Sequence, residues 1–182
     1  MTGDAEGAKA IGWRAPDARA DGACVFIDRD GVVNERVMGG FVLSWGQFKF
    51  RPDAVAALLA LAQARLPVVV VSNQSCVGRG LLGTAELVAI MDMMTDALAR
   101  AGAPIAAWYC CPHAPDDGCD CRKPHRGMLV RAARELDIDL ARSHMIGDTP
   151  SDIAAGEAAG CATHLIDPSD AHAFARVVRE IV

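Results

Sequence analysis

The chain offers little to a membrane, a duplex or a disulfide-stapled scaffold. No apolar run among its 182 residues approaches the ~18 that a membrane span needs, because charges or proline break the longest candidates. The amino terminus lacks the basic-then-apolar layout of a secretory signal, so a soluble, cytoplasmic protein with no membrane partner is expected. Excess positive charge is missing too: the net charge is -5 and the isoelectric point 5.5, which argues against nucleic acid as a partner. Aromatic residues are few, with three Trp, one Tyr and five Phe, whereas apolar residues make up 52%, as in a globular chain. The length suits one domain with a substantial core. Seven cysteines is an odd number, which argues against a disulfide framework and leaves metal binding or plain burial.

Residues 24–34, CVFIDRDGVVN, organise what is present. A short apolar run reads as a buried strand that delivers Asp28 and Asp30 into a glycine-containing turn. Residues 1–22 are rich in Ala, Gly and Asp with no sustained period, and are expected to be a mobile extension preceding a domain over 23–182. Residues 35–51 carry Phe41, Trp45, Phe48 and Phe50 around Gly39 and Gly40, an aromatic loop or hairpin that is either a lid or a small satellite core.

Pro52 and Asp53 open a predicted helix to about Gln63. Strands are predicted at 67–71, 105–110, 144–146 and 163–166. Helices are predicted from Thr84, as N-cap, to about Arg100, over 127–137, from 150 to about Ala159 and over 171–181. Alternating strands and helices imply a single-domain, Rossmann-like α/β fold, a parallel sheet with helices on both faces. In such a sheet the ligand crevice lies beyond the carboxyl ends of the strands. Asp28 and Asp30, Ser72, Arg122 and Lys123, and Asp148 all fall there.

Gathering Asp28, Asp30, Asp148 and Asp152 is costly without a cation, and an all-oxygen donor set suits Mg²⁺. Lys123 and the Ser72 hydroxyl can then hold a phosphoryl group. Asp28 is placed to attack phosphorus in line, forming an aspartyl-phosphate, with Asp30 two residues on as general acid and base. A second metal is expected in the loop Cys111-Pro112-His113 and Cys119-Asp120-Cys121, since C-x-H-x5-C-x-C supplies four ligands for a closed tetrahedral Zn²⁺ site. Cys110 is an alternative to Cys111, although the CPH spacing and strand direction favour Cys111.

FIDRDG, VVSNQS, CRKP and IGDTPSD resemble, in order, the four motifs of the haloacid dehalogenase (HAD) superfamily of aspartate-nucleophile phosphatases. Residues 24–166 are similar to the small, capless branch that contains heptose-bisphosphate and histidinol-phosphate phosphatases. The resemblance implies a capless phosphomonoesterase, acting as a monomer on a small phosphorylated sugar, with histidinol phosphate the alternative substrate. A non-catalytic zinc-loop module on the same scaffold is the alternative of another class. The resemblance further implies that Asp28 is the nucleophile and Asp30 the acid/base. Ser72, Asn73, Gln74, Arg122 and Lys123 would bind substrate, and Mg²⁺ would be held by Asp28, the Asp30 carbonyl and Asp148. A zinc loop just before the Arg-Lys pair is likewise a family feature and would position that pair. Cys76 and Thr149 depart from the Gly and Lys often found there, and residues 35–51 are the expected specificity element.

Overall fold

The structure, a computed structural model, describes residues 10–18, 20 and 22–182. Strands β2 (Val25–Ile27) and β3 (Val68–Asn73) are near-continuous apolar runs, which only a strand covered on both faces tolerates. They lie at the middle of a six-stranded sheet with β1 (Ile11–Arg14), β4 (Ala107–Cys111), β5 (His144–Gly147) and β6 (Ala162–Leu165), in the order β1-β4-β3-β2-β5-β6. Every pairing is parallel except that of β1 with β4.

Side chains alternate across the pleat. Val25, Ile27, Val70, Trp108 and Ile146 join one core cluster, beneath helices α1 (Ala54–Gln63), α3 (Thr84–Arg100) and α6 (Ala173–Ile181). Phe26, Val69, Tyr109 and Met145 join another, beneath α4 (Gly127–Leu136) and α5 (Pro150–Ala159). Helix α3 shows the cause most plainly: Leu87, Ile90, Met91, Met94 and Leu98 recur at helical spacing and are all buried.

The sheet order also explains where a site can form. From β2 the chain crosses to β3 and β4 on one side and later returns to β5 and β6 on the other, so strand order reverses between β2 and β5. That switch point leaves a crevice at the carboxyl ends of those two strands. The Asp28 amide donates to the Ile146 carbonyl at 3.0 Å, binding the first turn to the β5 end.

Several expectations need correction. Residues 11–14, taken as part of a mobile extension, form β1 along the β4 edge, and Ile11 and Trp13 pack on the core. Four residues are too short to show a period, and their order comes from the partner strand; residues 1–9, also in that expected extension, lie outside the described residues. Gly83, not Thr84, caps α3, its amide donating to Glu86 Oε2 at 2.7 Å. A short helix α2 (Ser75–Gly78) follows β3 where only a loop was expected. Of the two alternatives for residues 35–51, the satellite core is met at the base of the segment. At the base, Glu35 N donates to the Lys49 carbonyl, and Trp45 stacks on Phe48 with 4.9 Å between centroids, continuous with the main core. At the tip, residues 35–40 are exposed beside the crevice.

Candidate active site

The crevice is a pocket of about 230 Å³ lined by Asp28, Asp30, Arg36, Asn73, Arg122, Lys123, Thr149 and Asp152, among others. Asp28 follows β2 directly and is 7% exposed. Lys123 Nζ donates to Asp28 Oδ1 at 2.9 Å and to the Val71 carbonyl at 2.6 Å, and pairs with Asp152 Oδ1 at 2.6 Å. Burial alone would lower the pKa of this lysine, but the two carboxylates raise it instead. Its backbone is clamped reciprocally: Lys123 N donates to Asn73 Oδ1 and Asn73 Nδ2 donates to the Lys123 carbonyl, both at 3.0 Å.

Asp28, Asp148 and Asp152 offer carboxylate oxygens that lie within 4.8 Å of one another. Burial, reinforced by Asp152 and Asp30 and opposed by Lys123, pushes Asp28 up to about 6. Burial and the neighbouring Asp28 push Asp148 up to about 7. Asp148 Oδ1 accepts from Arg36 Nη2 at 2.8 Å, while its Oδ2 is buried without a partner. A hard divalent cation fits this set, since it would satisfy the orphaned oxygen and remove the mutual repulsion. Gly31, at φ +94°, is required beside it, because a Cβ there would stand 2.0 Å from Asp148 Oδ2.

Asp30 meets different surroundings. Its carboxylate lies outside the acidic trio but still lines the pocket, and it accepts from Arg29, Asn34 and Gln74. Burial opposes ionisation there, but Arg29 and these hydrogen bonds prevail and hold Asp30 below the usual carboxylate range. Gln74 Nε2 also donates to Ser72 Oγ at 2.9 Å, which leaves the serine proton free to point at a ligand. Of the expected substrate-binding residues, Asn73 and Gln74 therefore spend their side chains on protein partners. Ser72, Arg122 and Lys123 remain beside or within the pocket, and Arg122 Nη1 donates to the His113 carbonyl at 3.3 Å.

Asp152 serves two ends: besides pairing with Lys123 it accepts from the Thr149 amide at 3.0 Å, satisfying an orphan donor at the start of α5. Gly147 makes room for it, since a Cβ there would meet Asp152 Cβ at 2.1 Å. Sequence reasoning missed Arg36 and Arg29. Arg36 has no motif signal, and Arg29 sits inside the DRDG motif, where its unusual burial is invisible.

The four ligand atoms of Cys111, His113, Cys119 and Cys121 also lie within 4.8 Å of one another. Cys111 Sγ is 3.3 Å from Cys121 Sγ and from His113 Nδ1, and 3.6 Å from Cys119 Sγ. With metal–sulfur bonds of ~2.3 Å, a tetrahedral site needs ligand separations of about 3.7 Å, so the cluster fits a closed zinc site with little adjustment. Donation from Cys121 draws Cys111 down to about 5, a thiolate suited to a cation. Cys110, the alternative ligand, points to the opposite face of the sheet, where burial pushes its thiol up to about 12.

The fold and the acids at its switch point define a hydrolase of the HAD type, and residues 120–172 match the HAD-hydrolase-like family model. The chain is 45% identical over 142 residues to the D-glycero-beta-D-manno-heptose-1,7-bisphosphate 7-phosphatase of Bordetella bronchiseptica, covering 78% of this chain and 79% of the relative. It is 36% identical over 146 residues to the D-glycero-alpha-D-manno-heptose-1,7-bisphosphate 7-phosphatase of Mycobacterium tuberculosis, covering 77% of each. The crystal structure of the B. bronchiseptica D,D-heptose 1,7-bisphosphate phosphatase complexed with magnesium and phosphate superposes with a TM-score of 0.74 at 45% identity, covering 79% of each chain. The chain belongs to the heptose-1,7-bisphosphate 7-phosphatase family of HAD hydrolases. Among the described residues no helix is long and apolar enough to cross a membrane.

Proposed function

We propose that this protein is a Mg²⁺-dependent phosphomonoesterase that removes the 7-phosphate of D-glycero-D-manno-heptose 1,7-bisphosphate through an aspartyl-phosphate on Asp28. The observation that carries the reading is the meeting of Lys123 Nζ with Asp28 Oδ1 at 2.9 Å beside the orphaned Asp148 Oδ2. An acid nucleophile and a fixed cation then share one pocket, with a vacant acceptor for a metal clustered against the nucleophile.

The residues divide the work as follows. Asp28 Oδ2, the oxygen that Lys123 does not hold, attacks phosphorus while Lys123 draws charge from the phosphoryl oxygens. The free proton of Ser72 donates to the same group, and Arg122 faces the remainder of the substrate. Asp30 gives a proton to the leaving oxygen and recovers one from the water that opens the acyl phosphate. Mg²⁺, held by Asp28, Asp148 and the Asp30 carbonyl, supplies charge neutralisation on the transferring group. Cys111, His113, Cys119 and Cys121 would hold Zn²⁺, which would order a loop with few apolar residues and so fix Arg122 and Lys123.

Steady-state phosphate release on both anomers of heptose 1,7-bisphosphate and on histidinol phosphate, with and without Mg²⁺, tests the reading. One heptose anomer with Mg²⁺ is expected to have the highest kcat/KM. A large preference for histidinol phosphate would overturn the substrate, and undiminished turnover without divalent cation would overturn the metal.

A further inference from the structure

Arg29 stands between the two motif aspartates and is fully buried, a position charged side chains seldom take unless paired. Its Nη2 donates to both carboxylate oxygens of Asp30, at 2.9 and 3.0 Å, and to Gln74 Oε1 at 3.1 Å. Gln74 Nε2 closes the triangle by donating to Asp30 Oδ2 at 2.8 Å. The rest of the guanidinium is sealed in the core, with Nη1 3.7 Å from Met91 Sδ on α3 and Nε without a partner. Among the described residues Asp30 is its one carboxylate partner, so this costly burial is directed at a single group.

What that group needs is a fixed direction. A proton donor must come within ~2.6–3.2 Å of the leaving oxygen, and a misplacement of ~1 Å can cost on the order of 10²-fold in rate. Asp30 lies in a turn, and its side chain is 25% exposed toward the pocket. Without a brace it would rotate among several rotamers.

We propose that Arg29 is a positioning residue: anchored in the core, it acts with Gln74 to hold the Asp30 carboxyl in the one setting from which it reaches the leaving-group oxygen. In the step it serves, Asp30 takes up a proton from solvent as the phosphate dianion settles beside it; the Asp28 carboxylate then forms the new bond to phosphorus, the phosphorus–oxygen ester bond breaks, and that proton moves to the departing alkoxide. The inference rests on the reading of Asp30 as proton donor given under Proposed function.

The test compares two leaving groups in the Mg²⁺-loaded protein. Heptose 1,7-bisphosphate releases an alkoxide that needs a proton, whereas 2,4-dinitrophenyl phosphate releases a phenolate that does not. Arg29→Met is expected to lower kcat/KM on the sugar phosphate, which reports the steps up to departure of the leaving group, by roughly 10- to 100-fold, with kcat/KM on dinitrophenyl phosphate held within about threefold. Equal losses on both substrates, or none on either, would overturn the proposal. Gln74→Met should show the same asymmetry at smaller amplitude, and it decides the matter if circular dichroism finds Arg29→Met unfolded. Asp30→Asn separates the two layers of the argument. If it shows no asymmetry, the role of Asp30 falls and this inference with it; if it does and Arg29→Met does not, only the positioning role falls.

Discussion

Asp28 and Asp30 are two residues apart in one turn and yet meet opposite surroundings. Burial raises Asp28 to about 6, whereas Arg29, Asn34 and Gln74 hold Asp30 low, so without a cation and a phosphate in the pocket Asp30 is the more readily ionised of the two. Asp28→Asn should cut phosphate release by roughly 10⁴-fold or more, with far-ultraviolet circular dichroism unchanged, since it removes the attacking oxygen. The folded-state values of Asp28 and Asp148, about 6 and about 7, lie above those of an unfolded chain, near ~4. Between about pH 4 and 7 the metal-free fold therefore binds protons that the unfolded chain has released, and it loses stability as pH rises through that window. A cation needs both carboxylates ionised, so the rise in melting temperature on adding Mg²⁺ should be larger at about pH 8 than at about pH 5.5. An increment independent of pH would show that these acids do not bind the cation. Asp28, Asp30 and Asp148 were legible because each stands in a short motif just after a strand, and Lys123 because it stands in the CRKP motif. Arg36 was not, because its bond to Asp148 spans 112 positions of chain and is set only by folding.

Among the elements, the cysteine loop and the first strand carry the sharpest expectations. The loop leads directly from Cys121 into Arg122 and Lys123, so its order is transmitted to the pocket through the backbone. Metal analysis should find about one equivalent of zinc, lost in Cys119→Ser together with most of kcat, because Lys123 would no longer be held at Asp28. Full activity in a zinc-free protein would remove the loop from the mechanism. Strand β1 hydrogen-bonds to β4 and packs Trp13 on the core. Trp13→Ala should therefore cost ~1–3 kcal/mol in urea unfolding. No change at all would restore the expectation of a detachable extension. The sequence pattern was strong for α3, whose apolar positions repeat over 17 residues, and silent for β1, whose four residues borrow their hydrogen bonds from another strand.

At the scale of the whole molecule, the two helical layers bury one cluster on each face of the sheet, and the crevice depends on that sheet staying rigid. Leu58 on α1 is 1% exposed, far from the chemistry. Leu58→Ala should lower stability by ~2–5 kcal/mol while leaving KM unchanged, as read by denaturant titration and steady-state kinetics.

By itself the sequence determined the alternation of apolar strands and amphipathic helices, and with it the parallel sheet, the order of the motifs and the spacing of the cysteine loop. These are local properties, written in periodicity and spacing. Only the tertiary structure decided that β2 and β5 are neighbours, which turns Asp28 and Asp148 into one site. It likewise decided that Asn73 and Gln74 brace other residues, that Cys111 and Cys110 face opposite sides, and that Arg29 is buried against Asp30. Each of these depends on which distant segments meet, and a side chain's partners exist only once the chain has closed around it.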